Sequence, residues 1–166
     1  MIFVPPDVAA ALEAVRREWD PDMAAQVAAH VTLVYPHEAP DVELLVSRLT
    51  GVMLATAPFR LRLGGLACFD RPEGGVYVDV KDLDGGYKRL RDQLLFPPFR
   101  PSTFAPHVTV AHPRTARRLR ELWESSAYRR SNAEFSVSEI ALTAFDGTRW
   151  QTLQRFPLTG RRGSRA

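Results

Sequence analysis

A chain of 166 residues, 45% hydrophobic and 25% charged, is long enough to bury one globular core, and no Pro-, Gly- or Ser-rich stretch is long enough to divide it. The lone Cys68 excludes an internal disulfide and a cysteine-rich metal site and fits a reducing compartment. A net charge of +3, carried almost entirely by arginine and partly by the tail from Gly160 to Ala166, is too small to name an anionic partner by itself.

In chain order, Ile2 to Val4 reads as a short strand, and Pro5-Pro6-Asp7 leads into an amphipathic helix with Val8, Leu12, Val15 and Trp19 on one stripe, ending near Asp20-Pro21. His30 to Tyr35 reads as a strand closed by Pro36, Leu44 to Leu54 as a helix, and Phe59 to Phe69 as a strand bent or bulged at Gly64-Gly65. The order then repeats. A strand over Val76 to Val80, a helix from about Asp84 to Phe96, a proline-rich loop, a strand over His107 to Ala111 and a helix over Arg114 to Ser125 follow. Strands Phe135 to Phe145 and Trp150 to Phe156, joined by the turn Asp146-Gly147-Thr148, close the chain. The expected class is α+β: two lobes, each with a mostly antiparallel sheet, flank a central cleft and carry helices on their outer faces. We expect one domain over residues 1–158 and a disordered tail over 159–166.

The chain carries an internal repeat. His30-Val31-Thr32 and His107-Val108-Thr109 both sit in the frame His-Val-Thr-x-x-x-Pro, ending at Pro36 and Pro113. Phe59 to Asp70 (FRLRLGGLACFD) and Phe135 to Asp146 (FSVSEIALTAFD) share an opening Phe, a Leu at the eighth position and a closing Phe-Asp at nearly the same offset. Two halves of this kind are expected about an approximate two-fold axis that brings the motif strands together. In a strand, residues i and i+2 share a face, so each motif presents an imidazole beside a hydroxyl while Val31 and Val108 point the other way.

Histidine titrates near neutrality and serves as either acid or base. Two of them across a cleft can deprotonate a nucleophile and protonate a leaving group in one event, each transfer contributing roughly 10²–10⁴-fold. The hydroxyls of Thr32 and Thr109, with nearby backbone amides, can hold an anionic centre between them. In-line phosphoryl transfer uses this layout. The chain has no His-x-His, His-Glu-x-x-His or Cys-x-x-Cys spacing and no Gly-rich phosphate loop ending in Lys-Ser/Thr, so we expect neither a metal nor a nucleotide cofactor.

Paired His-x-Thr strands half a chain apart in a duplicated α+β fold resemble the two-histidine (2H) phosphoesterase superfamily, and within it the 2′-5′ RNA ligase branch. The segments Ala29 to Pro36 and Phe104 to Val110 carry the resemblance, which extends to the strand ending at Leu158. It implies metal-independent chemistry on 2′,3′-cyclic phosphates or 2′-5′ phosphodiester linkages, with His30 and His107 as the acid/base pair and Thr32 and Thr109 as phosphate-binding hydroxyls. Many relatives have arginine five residues after the second histidine, where this chain has His112, and proline before the first motif, where it has Ala29. Arg114 and Arg100 are candidates for the missing phosphate contact.

The remaining candidates have ordinary alternatives. Tyr35, Phe104 and Trp150 can stack on a nucleobase or simply pack; Phe104, in the loop entering the second motif, is the foremost stacking candidate. Strand alternation sets His112 on the face opposite His107, as a rim or packing residue, and His37 falls in a surface loop. The runs Arg117-Arg118-Arg120 and Arg129-Arg130 read as solvated faces or as a surface for RNA. The sequence thus points to a monomeric, cytoplasmic phosphodiesterase for RNA or a nucleotide bearing a cyclic phosphate, reversible in principle as a 2′-5′ ligase, with no membrane partner: no apolar run nears the ~20 residues of a membrane span, and Met1 to Asp7 lacks the features of a signal peptide. His107 is assigned as base and His30 as acid in hydrolysis, although pseudo-symmetry allows the reverse. The rival readings are an RNA-binding module without catalysis and an enzyme for a small non-RNA cyclic phosphate such as an ADP-ribose derivative.

Overall fold

The computed structural model describes residues 1–125, 127–128 and 130–161. Arg129 of the second arginine run and residues 162–166 of the expected tail lie outside the described residues.

Two lobes of antiparallel sheet share the core. One sheet has the order β5-β4-β3-β6, built from β3 (Phe59–Cys68), β4 (Val76–Asp82), β5 (His107–Ala111) and β6 (Glu134–Val137). The other lobe consists of two ladders, β1 (Ile2–Phe3) with β2 (His30–Val31) and β7 (Glu139–Phe145) with β8 (Trp150–Pro157). Reciprocal backbone bonds between Met1 and Ala141, 2.6 and 2.9 Å, continue one ladder into the other. The expected α+β class with antiparallel sheets is what the fold has. Alternation explains the burial: Ile2, Val31, Ile140 and Phe156 in one lobe and Leu61, Leu63, Val76, Val78 and Val108 in the other turn inward, all nearly solvent-free.

The repeat is visible in strand register. Phe59 pairs with Val137, and Leu61 with Phe135, so each repeat opens by pairing with its twin in a reciprocal pattern, as an approximate two-fold axis requires. Phe3 stands opposite His30 as Asp79 stands opposite His107, and Ile2 opposite Val31 as Val78 opposite Val108. The Gly64-Gly65 break is a bulge in β3. The Asp79 carboxylate lies against it and accepts the Gly65 N–H at 2.5 Å, in the space a side chain on Gly64 would need.

Several elements differ from the sequence expectation, each for a local reason. The first helix, α1 (Pro6–Trp19), is followed directly by a second, α2 (Pro21–Gln26), because Pro21 cannot extend α1 yet suits a first helical position, and the Asp20 side chain caps Met23 N–H at 3.1 Å. The strand expected to reach Tyr35 stops at Val31, since the carbonyls of Thr32 and Leu33 are taken by the Tyr87 hydroxyl and the Arg91 guanidinium, not by a neighbouring strand. Residues 112–116 form a turn around the His112 carbonyl, pinned by Asp20 to the Thr115 hydroxyl at 2.8 Å, so the helix there shrinks to α5 (Leu119–Glu124). The expected strand over residues 135–145 divides at Ser138: β6 pairs with β3, and β7 crosses into the other lobe to pair with β8. Helices α3 (Val42–Ala55) and α4 (Gly86–Leu94) pack on each other, and α3 also covers β8. Thr159 and Gly160, placed in the tail by the sequence reading, still donate backbone bonds to the end of α3 and to Thr56.

Candidate active site

Strands β2 and β5 lie side by side, so the two motifs meet where the lobes join. Val31 and Val108 are buried in the core, which by alternation turns His30 and His107 to the opposite face, where His30 is half-buried and His107 buried. Each imidazole is fixed in the same way. His30 Nδ1 lies 2.9 Å from the Ala28 carbonyl, and His107 Nδ1 2.8 Å from the Ala105 carbonyl, both two residues back. A carbonyl only accepts, so each Nδ1 carries the proton and each neutral ring presents its Nε2 lone pair.

The electrostatics favour neutral rings. Burial pushes the His30 imidazole down to about 4, helped by the positive charge of the terminal amine and Arg16 and by any charge on His107; its bond to Ala28 opposes this. Burial lowers His107 as well, against its bond to Ala105. Among the described residues no carboxylate is paired with either ring, so a bound anion is what would favour protonation.

A buried arginine and a glutamate hold the segment leading into each motif. On α1, Arg16 donates to Glu13 at 2.9 Å and to the Val27 carbonyl at 2.9 Å, while Glu13 accepts Ala29 N–H at 2.5 Å. On α4, Arg91 donates to Glu38 at 2.6 Å and to the Ser102 carbonyl at 3.1 Å, while Glu38 accepts both Ser102 N–H and its hydroxyl at 2.6 Å. Glu38 also accepts Tyr35 N–H at 2.8 Å, which ties the loop after the first motif to the loop before the second. Burial alone would raise the Glu38 carboxyl; the Arg91 and Ser102 bonds outweigh it and hold the group at about 2. The sequence reading missed these four residues and Asp20. The available signal was a charged residue on an apolar helix stripe: Arg16 follows Leu12 and Val15, and Arg91 stands between Leu90 and Leu94.

Of the expected substrate contacts, Tyr35 and Phe104 are gathered at His107. The Tyr35 hydroxyl is 3.4 Å from His107 Nε2, and the Phe104 ring, 45% exposed, is centred 6.4 Å from the imidazole and 5.5 Å from Tyr35. Phe69 and Tyr77 complete an aromatic cluster, 5.1 and 5.0 Å from His107. Burial raises the Tyr35 hydroxyl well above its ordinary range, so it stays protonated and can donate to the Nε2 lone pair. His37 stacks on Tyr35 at 5.7 Å, so it belongs to this cluster's edge. Arg100 and Arg114 have exposed side chains, and their backbones are anchored, Arg100 N–H to the Glu38 carbonyl and Arg114 N–H to His112 Nδ1. Trp150 lies at the far end of the β7–β8 hairpin against Phe145. Among the described residues no three His, Cys, Asp or Glu side chains cluster as metal ligands, and no helix is long and apolar enough to cross a membrane.

A two-lobed α+β fold with a His-x-Thr motif in each half points to the class of two-histidine phosphoesterases. The family model of the 2′-5′ RNA ligase superfamily matches residues 4–149, and the chain belongs to that family. Among solved structures it is similar to the protein TT0787 of Thermus thermophilus (24% identity, TM-score 0.65, 97% of each chain covered). It is also similar to a structure described as a phosphoesterase (20%, 0.66, 95% of each chain) and to E. coli LigT complexed with 3′-AMP (21%, 0.64, 95% of each chain). At these identities the likeness speaks for the fold. No curated protein sequence matches the chain.

Proposed function

We propose that this chain is a metal-independent phosphodiesterase that opens 2′,3′-cyclic phosphates on RNA ends or nucleotides, or cleaves 2′-5′ linkages, with the ligase direction open to the same residues. The observation that carries this reading is the matched pair of imidazoles, each with Nδ1 held by the carbonyl two residues back and so with Nε2 left as the acceptor, each two residues ahead of a threonine. Membership of the 2′-5′ RNA ligase superfamily supports the reaction class, and a relative of the same fold, E. coli LigT, has been solved with 3′-AMP and with phosphate.

In hydrolysis of a cyclic phosphate, His107 Nε2 takes a proton from water as the water oxygen bonds to phosphorus. His30 gives its Nε2 proton to the departing ribose oxygen, leaving a phosphomonoester and a free hydroxyl. Tyr35 supports the base assignment, because its hydroxyl, 3.4 Å from His107 Nε2, can donate to that nitrogen and so favours the neutral ring protonated at Nδ1. The acid needs a proton that the free site disfavours, and the phosphate anion supplies the charge that raises its affinity for one. Thr32 and Thr109 bind the non-bridging oxygens, with Arg100 or Arg114 as the phosphate-binding cation in place of the family arginine replaced by His112. Phe104 and Tyr35 stack a base.

The test is a panel of nucleoside 2′,3′-cyclic phosphates, 2′-5′ dinucleotides and ADP-ribose 1″,2″-cyclic phosphate, assayed with excess EDTA. Turnover of either RNA-like class in chelator is expected. Activity lost in EDTA and restored by zinc or manganese would reject the mechanism, and turnover of the ADP-ribose compound alone would move the substrate away from RNA.

A further inference from the structure

The open face of the His30 lobe extends well past the histidine. Phe3 faces the same side as His30, its register partner, with ring centroids 6.3 Å apart. Met1, two residues from Phe3, shares that side and is hydrogen-bonded to Ala141, which pairs with Arg155. The β7 strand stays regular beyond Ala141, the extra residue of the ladder lying in β8, so Thr143 and Phe145 remain on this side and Trp150 joins them opposite Phe145. Ile140 and Phe156, on the other side, are buried. His30, Phe3, Arg155, Phe145 and Trp150 therefore line one continuous wall.

The repeat gives this wall a meaning. Phe145 is the twin of Phe69, the closing Phe of the repeated segment. Phe69 is used: it packs edge-on to His107 at 5.1 Å and helps to build the aromatic cluster there. Phe145 instead is 47% exposed and meets Trp150, with ring centroids 5.7 Å apart. The Arg155 guanidinium lies 6.0 Å above the Phe3 ring, which neighbours His30, and is about half exposed. Its partner is Glu139, in an ion pair at the surface where the Coulomb gain is small and a phosphate can take the carboxylate's place.

We propose that Phe145 and Trp150 form a second nucleoside platform, with Arg155 as its phosphate contact, so that the protein grips a nucleotide on each side of the reacting phosphate, one at the His107 cluster and one on the β7–β8 hairpin. This rests on the phosphodiesterase reading and narrows it: the substrate is a dinucleotide or a longer single strand. An exposed ring, Phe145, against the half-buried Trp150, with an arginine on the same strand pair, supplies the elements by which single-stranded nucleic acid is held without sequence preference.

The test compares wild type, Trp150→Ala, Phe145→Ala and Arg155→Gln in two measurements. The first is kcat/KM for a 2′-5′-linked dinucleotide relative to that for a nucleoside 2′,3′-cyclic phosphate. The second is fluorescence anisotropy of a labelled 2′-5′-linked oligoadenylate, made in a His107→Ala background so that no turnover intervenes. A stacked base predicts a fall of about fivefold to 100-fold in the dinucleotide-to-mononucleotide ratio for Trp150→Ala, and a matching loss of oligonucleotide affinity. Arg155→Gln is expected to lower affinity and flatten its salt dependence. If the ratio and the affinity both stay within about twofold of wild type, the platform is wrong while hydrolysis of either substrate keeps the phosphodiesterase reading intact. If wild type hydrolyses neither substrate but Trp150→Ala still loses oligonucleotide affinity, the platform stands and the hydrolase reading falls. Circular dichroism and the unfolding midpoint verify that the hairpin variants remain folded.

Discussion

The His30 half and the His107 half carry the same tripeptide, the same carbonyl on Nδ1 and the same arginine and glutamate clamp on the approaching segment, yet they differ in what surrounds the ring and in where the clamp comes from. His107 sits among Tyr35, Phe69, Tyr77 and Phe104; His30 has Phe3 beside it. Glu13 and Arg16 belong to one helix and fix one half internally, whereas Glu38 comes from the first half and Arg91 from the second. Repetition supplied two imidazoles held alike, and divergence around them made one an aromatic pocket whose glutamate and arginine also lock the halves together. A symmetric pair can bind a phosphate, but only an asymmetric one can tell the two sides of that phosphate apart.

The largest effect tests what the halves share. His30→Ala and His107→Ala are each expected to lower kcat about 10²–10⁴-fold with little change in stability, and the double variant to be hardly worse than either single, since acid and base act in one event. Steady-state kinetics on the best substrate of the panel measures this. Fully multiplicative losses would mean that the histidines work separately.

The next contrast is between the clamps. Glu38→Ala leaves the Arg91 guanidinium buried without its carboxylate and should destabilise the fold by about 3–5 kcal/mol. Glu13→Ala, at the edge of the core, should cost less. Urea unfolding of both variants measures the difference, and equal losses would deny Glu38 its role as the tie between halves.

Smaller effects separate the ring environments. Phe104→Ala should weaken nucleotide binding by about 1–3 kcal/mol, mainly in KM, as loss of one stacked ring predicts. Tyr35→Phe removes the donor to His107 Nε2 and should alter the pH profile more than KM. In the free enzyme both histidines titrate below the ordinary 6.5, so the kcat/KM optimum should fall below that value, and the kcat optimum, which reports the phosphate-bound site, should lie higher. A kcat/KM optimum above pH 7 would contradict the depressed values.

The gentlest expectation concerns stability against pH. His30 binds its proton more weakly folded than unfolded, so between about 4 and 6.5 the unfolded chain holds more protons and stability rises with pH. Below pH 4.5, protonation of Glu38 works in the same direction, its contribution being lost as pH falls toward 2. His30→Phe should reduce the rise of the unfolding free energy across the 4–6.5 window, leaving the smaller part due to His107 and His112, as measured by denaturant titration at several pH values.

By itself the sequence determined the class of fold, the repeat and the family resemblance, because these follow from strand alternation and from a motif written twice. Period-2 patterning also located most strands, and Gly64-Gly65 announced its bulge. Tertiary structure alone decided the rest. Whether β7 continues β6 or crosses to the other lobe at Ser138 depends on which edge offers a partner, and nothing local distinguishes the two. The early end of β2 at Val31 depends on Tyr87 and Arg91, more than fifty residues away, reaching the carbonyls a neighbouring strand would otherwise take. Glu38, Arg91 and Asp20 look like ordinary surface charges until long-range packing buries them, because a charge enters the interior only with a partner, and that partner is chosen by the fold.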